Sequence, residues 1–297
     1  MFTRRHPFLF FLLVLSAIFT LAGIILSLIL TAPMRQDPLT PLGSKGGEKV
    51  GVVEIKGAIF DPETIMTQLK RFRKDNSIKA IVLRIESPGG AVGPSQEIFR
   101  EVRKTSLNKT VIASMGGVAA SGGYYIASGA NGIVANPGTI TGSIGVILGY
   151  TNFQDLLQKI GLAPVIVKSG PYKDIGSSTR KMTENEQQLL QNLVDKIHKQ
   201  FISDIAESRD MDLSKVLSMA DGRILLGQEA KELGLVDRLG NFEDALEWAG
   251  RKGGIKGEII AVYAKENKFS LVRYIVDTSV NALTRHILNL NLFQAYF

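Results

Sequence analysis

Residues 80–90 read Ala80-Ile81-Val82-Leu83-Arg84-Ile85-Glu86-Ser87-Pro88-Gly89-Gly90. The first six form a short run rich in β-branched side chains, the composition of a strand. Ser-Pro-Gly-Gly then ends it abruptly, because proline lacks a donor and paired glycines favour a turn. Outward from this stretch, strand and helix signals alternate. Lys49–Ile55 reads as a strand and Ile65–Phe72 has apolar residues at helical spacing. Gln96–Val102 returns to that spacing, and Thr110–Ala113 is another strand. Gly116-Gly117 is expected to break it, with a small-residue helix following over Ala119–Ser128. Gly132–Ala135 reads as a strand and Asn136-Pro137-Gly138 as a turn; Ile144–Leu148 and Ala163–Val167 are expected as two more strands. Such alternation points to an α/β architecture.

From Thr183 the pattern changes. Thr183-Glu184-Asn185-Glu186 has the form of a capping box, with Thr183 as N-cap and Glu186 at the third helical position. It predicts a long amphipathic helix to about Arg209. Shorter helices are expected over Leu225–Leu235 and Phe242–Ala249, a loop over Gly250–Gly257 and a strand over Ile259–Val262. In the tail, Val272, Val276, Val280, Leu283, Ile287 and Leu290 step by three and four, predicting an amphipathic helix with one apolar stripe. That stripe suits packing on its own domain, a subunit contact or a membrane surface.

The sequence has 297 residues, 45% hydrophobic, enough for one sizeable core. Pro7–Met34 holds no charge, and Phe8–Leu30 is almost wholly apolar. At ~1.5 Å per residue such a run spans a hydrocarbon core of ~30 Å. Arg4 and Arg5 precede it, so the N-terminus is expected to stay cytoplasmic and the remainder to be exported. A cleaved signal peptide would have a shorter apolar core and a small-residue cleavage site, which Thr31-Ala32-Pro33 does not supply. An uncleaved single-pass anchor is therefore expected over residues 1–34, with a polar linker over 35–48. With no cysteine, thiolate catalysis, disulfides and cysteine zinc sites are excluded. The net charge is +7, but Lys and Arg are scattered apart from a cluster at Lys70, Arg71, Arg73 and Lys74. That cluster suits a solvated helix face, or anionic headgroups, better than the basic, aromatic-bearing stripe a nucleic acid needs.

The chemistry centres on Ala119-Ala120-Ser121-Gly122-Gly123-Tyr124-Tyr125. A serine there serves as a helix cap or packing residue as readily as a nucleophile. Its setting favours the nucleophile, since a strand, a glycine break and a helix start aim free N–H groups at it. The Ser87–Gly90 turn leaves further N–H groups open and admits a substrate backbone, so the two glycine turns together resemble an oxyanion hole beside an edge for an extended peptide. A serine nucleophile needs a base. His6 precedes the apolar run, His198 lies in the charged helix and His286 in the tail, which leaves a lysine. Lys173, in Lys168-Ser169-Gly170-Pro171-Tyr172-Lys173-Asp174, is the candidate. Its ordinary alternative is a surface pair with Asp174 or another carboxylate. As a base it would need an apolar setting, since free lysine has a pKa of ~10.4.

Ser87-Pro88-Gly89-Gly90, Ala120-Ser121-Gly122-Gly123-Tyr124-Tyr125 and Tyr172-Lys173-Asp174-Ile175-Gly176 occur in the order of the signal peptide peptidase A family, which the chain resembles from about Lys49 to Ala249. The resemblance implies a membrane-bound Ser/Lys peptidase of the Clp-protease/crotonase-like fold, with Ser121 as nucleophile and Lys173 as general base. It also places a second serine, Ser143, against the lysine amine, and makes the backbone N–H groups of Gly89 or Gly90, and of Gly122, the oxyanion donors. Glu86 and Ser178 depart from the pattern, standing where a smaller polar residue and a proline are common. One copy of the motifs implies the short form of the family, which assembles into a homo-oligomeric ring with Ser and Lys of one site on neighbouring protomers.

The expected organisation is thus an anchor at 1–34, a linker at 35–48, a peptidase domain at 49–250 and a C-terminal strand and helix at 251–297 that serves assembly. Peptides, the membrane and other copies of the chain are the expected partners. No cofactor, metal or nucleic acid is implied. Rival readings are a membrane-protein protease of the NfeD type, a crotonase-fold acyl-CoA enzyme and a catalytically silent assembly protein. The first usually carries further membrane spans, the second has no need of an export anchor, and the third does not account for Ser121, Lys173 and Ser143 together.

Overall fold

The computed structural model describes residues 47–264 and 295–296, together with Phe8, Phe10–Leu12, Leu15–Ser16 and Phe19–Leu21. The chain divides into two units, Met1–Gly46 and Gly47–Phe297. In the first, the described residues are helical and exposed. Among the described residues no helix is long and apolar enough to cross a membrane. Most of the expected 8–30 span, and the apolar stripe at 272–290, lie outside them.

The second unit begins with β1 (Glu48–Lys56), α1 (Glu63–Lys74), β2 (Ile78–Ser87), α2 (Val92–Ser106), β3 (Thr110–Ala119), α3 (Gly122–Ser128) and β4 (Gly132–Ala135). Short strands β5 (Ile140–Gly142) and β6 (Ile147–Leu148), the exposed helix α4 (Gln154–Lys159) and the long α5 (Glu184–Arg209) follow. Then come α6 (Leu213–Met219), β7 (Ile224–Leu226), α7 (Gly227–Leu233), β8 (Arg238–Leu239), α8 (Phe242–Lys252) and β9 (Ile259–Tyr263). Ala295–Tyr296 forms β10, antiparallel to β6.

β9, β1, β2, β3, β4 and β8 lie side by side, every pair parallel. Parallel strands joined by helices bury both faces. β2 shows it: Ile81, Leu83 and Ile85 enter one apolar cluster with α1, α2 and α3, while Ala80 and Val82 enter another with Ala245, Leu246 and Ala249 of α8. Fully burying each such Ile, Leu or Val side chain stabilises the fold by about 1.5–3 kcal/mol. β9 pairs with β1, so this sheet extends past residue 250.

The strand ending at Thr110–Ala113 in the sequence reading in fact continues through Gly116-Gly117 to Ala119. The glycines mark a change of partner rather than a break. Residues 112–115 pair with β4, whereas Val118 pairs with Ile140 of β5. Glu86 explains the crossing: its carboxylate accepts from the N–H groups of Gly117 (3.0 Å) and Val118 (3.1 Å), standing in for a missing strand. A Cβ at Gly116 would lie 1.7 Å from Glu86 Oε2, so the approach requires glycine.

Ala163–Val167 forms no strand. No neighbour pairs with it among the described residues, and Val167 is 96% exposed. Of Ile144–Leu148 only the last two residues are strand, and Ile144 is instead fully buried in the core. The long helix starts where the capping box placed it. Thr183 Oγ1 accepts from Glu186 N–H, and Glu186 accepts from Thr183 N–H at 2.9 Å.

Candidate active site

Ser121 stands between the end of β3 and the start of α3, with φ 55° and ψ −120°. Three non-glycine residues among those described have positive φ, and Ser143 (51°) is another of them. Each such backbone costs about 1–3 kcal/mol and persists only where its surroundings enforce it. Around Ser121 they do. Its N–H donates to Gly142 O at 2.9 Å, its carbonyl accepts from Tyr125 N–H at 2.8 Å, and Ala120 N–H donates to Ser87 O at 3.1 Å. The first bond brings Ser121 against the residue preceding Ser143. Ser143 is tied in turn by its N–H to Arg223 O at 2.7 Å.

Below Ser121, α3 is buried throughout. Tyr124 donates its hydroxyl to Leu235 O at 2.9 Å, and the Tyr125 hydroxyl donates to Asp204 on α5. Tyr125 stacks on Phe99 at 4.5 Å and meets Phe201 edge-on at 4.8 Å. Burial pushes both phenols above their usual range, so they stay neutral donors.

The two glycine turns face each other. A Cβ at Gly122 would lie 3.3 Å from Gly90 N and 3.4 Å from Gly89 Cα. The turn itself is held by a parallel bridge between Ile59 and Gly90: Ile59 N–H donates to Gly89 O at 3.0 Å and Ala91 N–H to Ile59 O at 2.8 Å. In a parallel bridge those bonds use the neighbours of Gly90 and leave its own N–H facing away. Among the described residues Gly90 N–H has no partner, and neither has Gly122 N–H. Gly89 differs, because its N–H donates to Ser87 Oγ at 3.1 Å. Of the two donors left open by the sequence, Gly90 is therefore the free one. Ser87, which the sequence reading used only as part of a turn, decides the matter; a hydroxyl two residues before a glycine N–H is the signal for such a turn.

Ser121, Ser143, Gly90 and Gly122 are thus gathered at one place, and Lys173 is not joined to them. It is exposed in the loop after Gly170, its N–H donating to Gly170 O at 3.2 Å. No hydrogen bond or ion pair of its side chain is present among the described residues. Nor does it pair with Asp174. That carboxylate is held by Arg180, with Nε at 2.8 Å from Oδ2 and Nη2 at 2.8 Å from Oδ1, and by Lys168 at 2.6 Å. Arg180 also binds Glu186 at the start of α5, at 2.8 and 2.5 Å. Arg180, then Lys168, hold the Asp174 carboxyl well below the usual carboxylate range. Arg180, then the Thr183 N–H, pull that of Glu186 from 4.5 to about 2.

A depressed carboxyl stabilises the fold above its unfolded value, and the contribution disappears as pH falls toward the folded one. For Glu186 the window is therefore pH 4.5 down to about 2. In a Glu186→Gln chain the urea midpoint should fall less across that window than in the parent. At neutral pH the variant should be about 1 kcal/mol less stable through its weakened capping box. Equal slopes in the two chains would refute the assignment.

Among the described residues no three His, Asp or Glu side chains converge as a metal site would. The sequence pattern of Peptidase family S49 matches residues 103–256, and that of Clp protease matches residues 52–138. A Synechocystis sp. protein bearing a provisional protease name is 43% identical over 235 residues, 78% of this chain and 84% of its own length. Protease 4 of Salmonella typhi is 37% identical over 74% of this chain and 37% of its own. The chloroplastic serine protease SPPA of Arabidopsis thaliana is 33% identical over 76% and 34% respectively.

Proposed function

This chain belongs to peptidase family S49, and on that premise we propose that it is a membrane-anchored serine endopeptidase working through Ser121 and Lys173. One observation carries the reading: a serine in a strained turn lies beside two unpartnered N–H groups, those of Gly90 and Gly122. Ser121 Oγ attacks a peptide carbonyl while the neutral Lys173 amine takes its proton. The oxyanion receives hydrogen bonds from Gly90 and Gly122 N–H. The lysine returns the proton to the departing amine, leaving an acyl-enzyme. It then draws a proton from water, whose attack frees the acid and restores Ser121. Ser143 orients the amine through its hydroxyl, which adds no charge.

An amine serves as a base only when neutral, and apolar cover favours that form. In one chain Lys173 is exposed, so the cover has to come from elsewhere. Supporting a second copy as its source, the segment leading to Lys173 exposes Leu156, Ile160, Leu162, Val165 and Val167. Exposed apolar side chains gathered in one segment suit burial against another copy. We place the chain in a ring in which Lys173 of one protomer reaches Ser121 of the next. Residues 8–30 anchor it, with the N-terminus cytoplasmic and the peptidase domain exported. Extended apolar peptides, such as signal peptides left in the membrane, are the substrates; small residues flank Ser121 and leave room for them.

A serine-directed fluorophosphonate should label the detergent-solubilised full chain at Ser121, located by mass spectrometry, and block cleavage of an apolar fluorogenic peptide. The isolation of Lys173 in a single chain favours one rival, a silent assembly protein. A correctly assembled chain that neither labels nor cleaves would establish that rival instead.

A further inference from the structure

Arg180 lies seven residues past Lys173 and is the only described residue bonded to both Asp174 and Glu186. Its Nη2 also donates to Asp174 O at 3.3 Å, and its Nη1 to Lys181 O at 3.1 Å. Its own carbonyl accepts from Asn152 Nδ2 at 2.9 Å. The guanidinium thus ties the lysine-bearing loop to the N-terminus of α5, and the Arg180 carbonyl ties it to the segment before α4. α5 is anchored in the core through Phe201, Ile202 and Ile205, so the loop is held on the packed body of its own protomer, from which Lys173 is presented to the neighbouring site. The second consequence is electrostatic. Asp174 is the carboxylate next to Lys173 in sequence, and both its oxygens are occupied by Arg180 and Lys168. Among the described residues the charged groups bonded to it are those two, and Glu186 stands across Arg180.

We propose that Arg180 is a positioning residue for the Ser/Lys chemistry: it fixes the 170–180 loop on α5 and keeps the Asp174 carboxylate away from the Lys173 amine. The proposal rests on the Ser121–Lys173 reading. Lysine cannot replace Arg180 fully, since a single ammonium cannot bind two carboxylates in the planar, forked manner of a guanidinium. With Arg180 removed, Lys168 still holds Asp174 Oδ1 but Oδ2 loses its partner, and that oxygen can stabilise the ammonium form of Lys173. The base then becomes neutral only at higher pH. Loosening of the loop adds a loss that does not depend on pH; a misplacement of about 1 Å can cost on the order of 10²-fold.

The test is the pH profile of kcat/KM on an apolar fluorogenic peptide for the full chain and for Lys173→Ala, Arg180→Met, Arg180→Lys, Asp174→Asn and the Arg180→Met/Asp174→Asn double variant. Oligomer size is checked for each. Arg180→Met is expected to lower kcat/KM at pH 7 by about 10–100-fold and to move the acid-side midpoint up by about one pH unit. The double variant should return the midpoint to the parent value while remaining slow, and Arg180→Lys should fall between parent and Arg180→Met. Asp174→Asn alone should leave the midpoint at or below that of the parent. An assembled Arg180→Met chain with the parent midpoint, or a double variant with the midpoint still raised, overturns the role of Arg180 while Lys173→Ala remains inactive. If Lys173→Ala cleaves like the parent, the Ser/Lys reading itself falls, and the role of Arg180 with it.

Discussion

Alanine at Ser121, or at Lys173, is expected to lower kcat/KM on an apolar peptide by about 10³-fold or more, with folding and oligomer size unchanged. The size follows from what each removes. On the proposed mechanism, no acyl-enzyme forms without Ser121 Oγ, and nothing takes the serine proton without the Lys173 amine. Neither change should cost much stability. The Ser121 side chain makes no capping hydrogen bond, and Lys173 is exposed. Mixing the two inactive chains separates the possible geometries. If one site draws Ser121 and Lys173 from different protomers, equal mixing with subunit exchange restores about a quarter of parental activity, the fraction of contacts that pair two intact residues. If a single chain supplies both, mixing restores nothing. Parental activity in either single variant would remove that residue from the mechanism.

Gly90→Ala is expected to damage the oxyanion site from within. A Cβ there would lie 2.2 Å from Ile59 O and 2.5 Å from Ile59 N. Those are backbone atoms of the bridge that holds the turn, so neither can rotate aside and the turn must open. Its free N–H then leaves the position that faces Gly122. Losing one such donor typically costs about 10²–10³-fold in kcat, and forcing a methyl into a packed site costs about 1–3 kcal/mol of stability. Gly122→Ala is the informative companion. Its Cβ would press first on Ser95 Oγ at 2.6 Å, a side chain able to shift. It should therefore lose less stability than Gly90→Ala while still crowding the same donors. Urea titration with steady-state kinetics measures both, and a Gly90→Ala chain with parental kcat would exclude Gly90 as a donor.

Much of the fold was legible in the sequence because local signals agreed with the global structure. The strands at 80–85 and 132–135 are apolar runs bounded by turn residues, and burial on both faces requires that composition. The start of α5 could be read because a capping box satisfies its donors locally. Where the reading went astray, the deciding contacts were remote. Glycine at 116–117 signalled a break, yet the strand continues because the Glu86 carboxylate supplies acceptors from another strand. Ala163–Val167 has strand composition but no described partner to accept its backbone, so its apolar side chains lie exposed.

The candidate site divides in the same way. Residue types, their order and the absence of a suitable histidine single out Ser121, Lys173 and the two glycine turns without coordinates, because those choices depend on chemistry that the side chains carry with them. Three things required the tertiary structure. The positive φ of Ser121 and Ser143 arises from bonds to Gly142 and Arg223 that no local pattern encodes. The choice of Gly90 over Gly89 depends on where the Ser87 hydroxyl and the Ile59 bridge direct the turn. That the Asp174 carboxylate bonds Arg180 and Lys168 rather than its neighbour Lys173 is visible only in the folded loop. A sequence specifies which groups are available, whereas hydrogen bonds between distant segments decide which of them remain free to react.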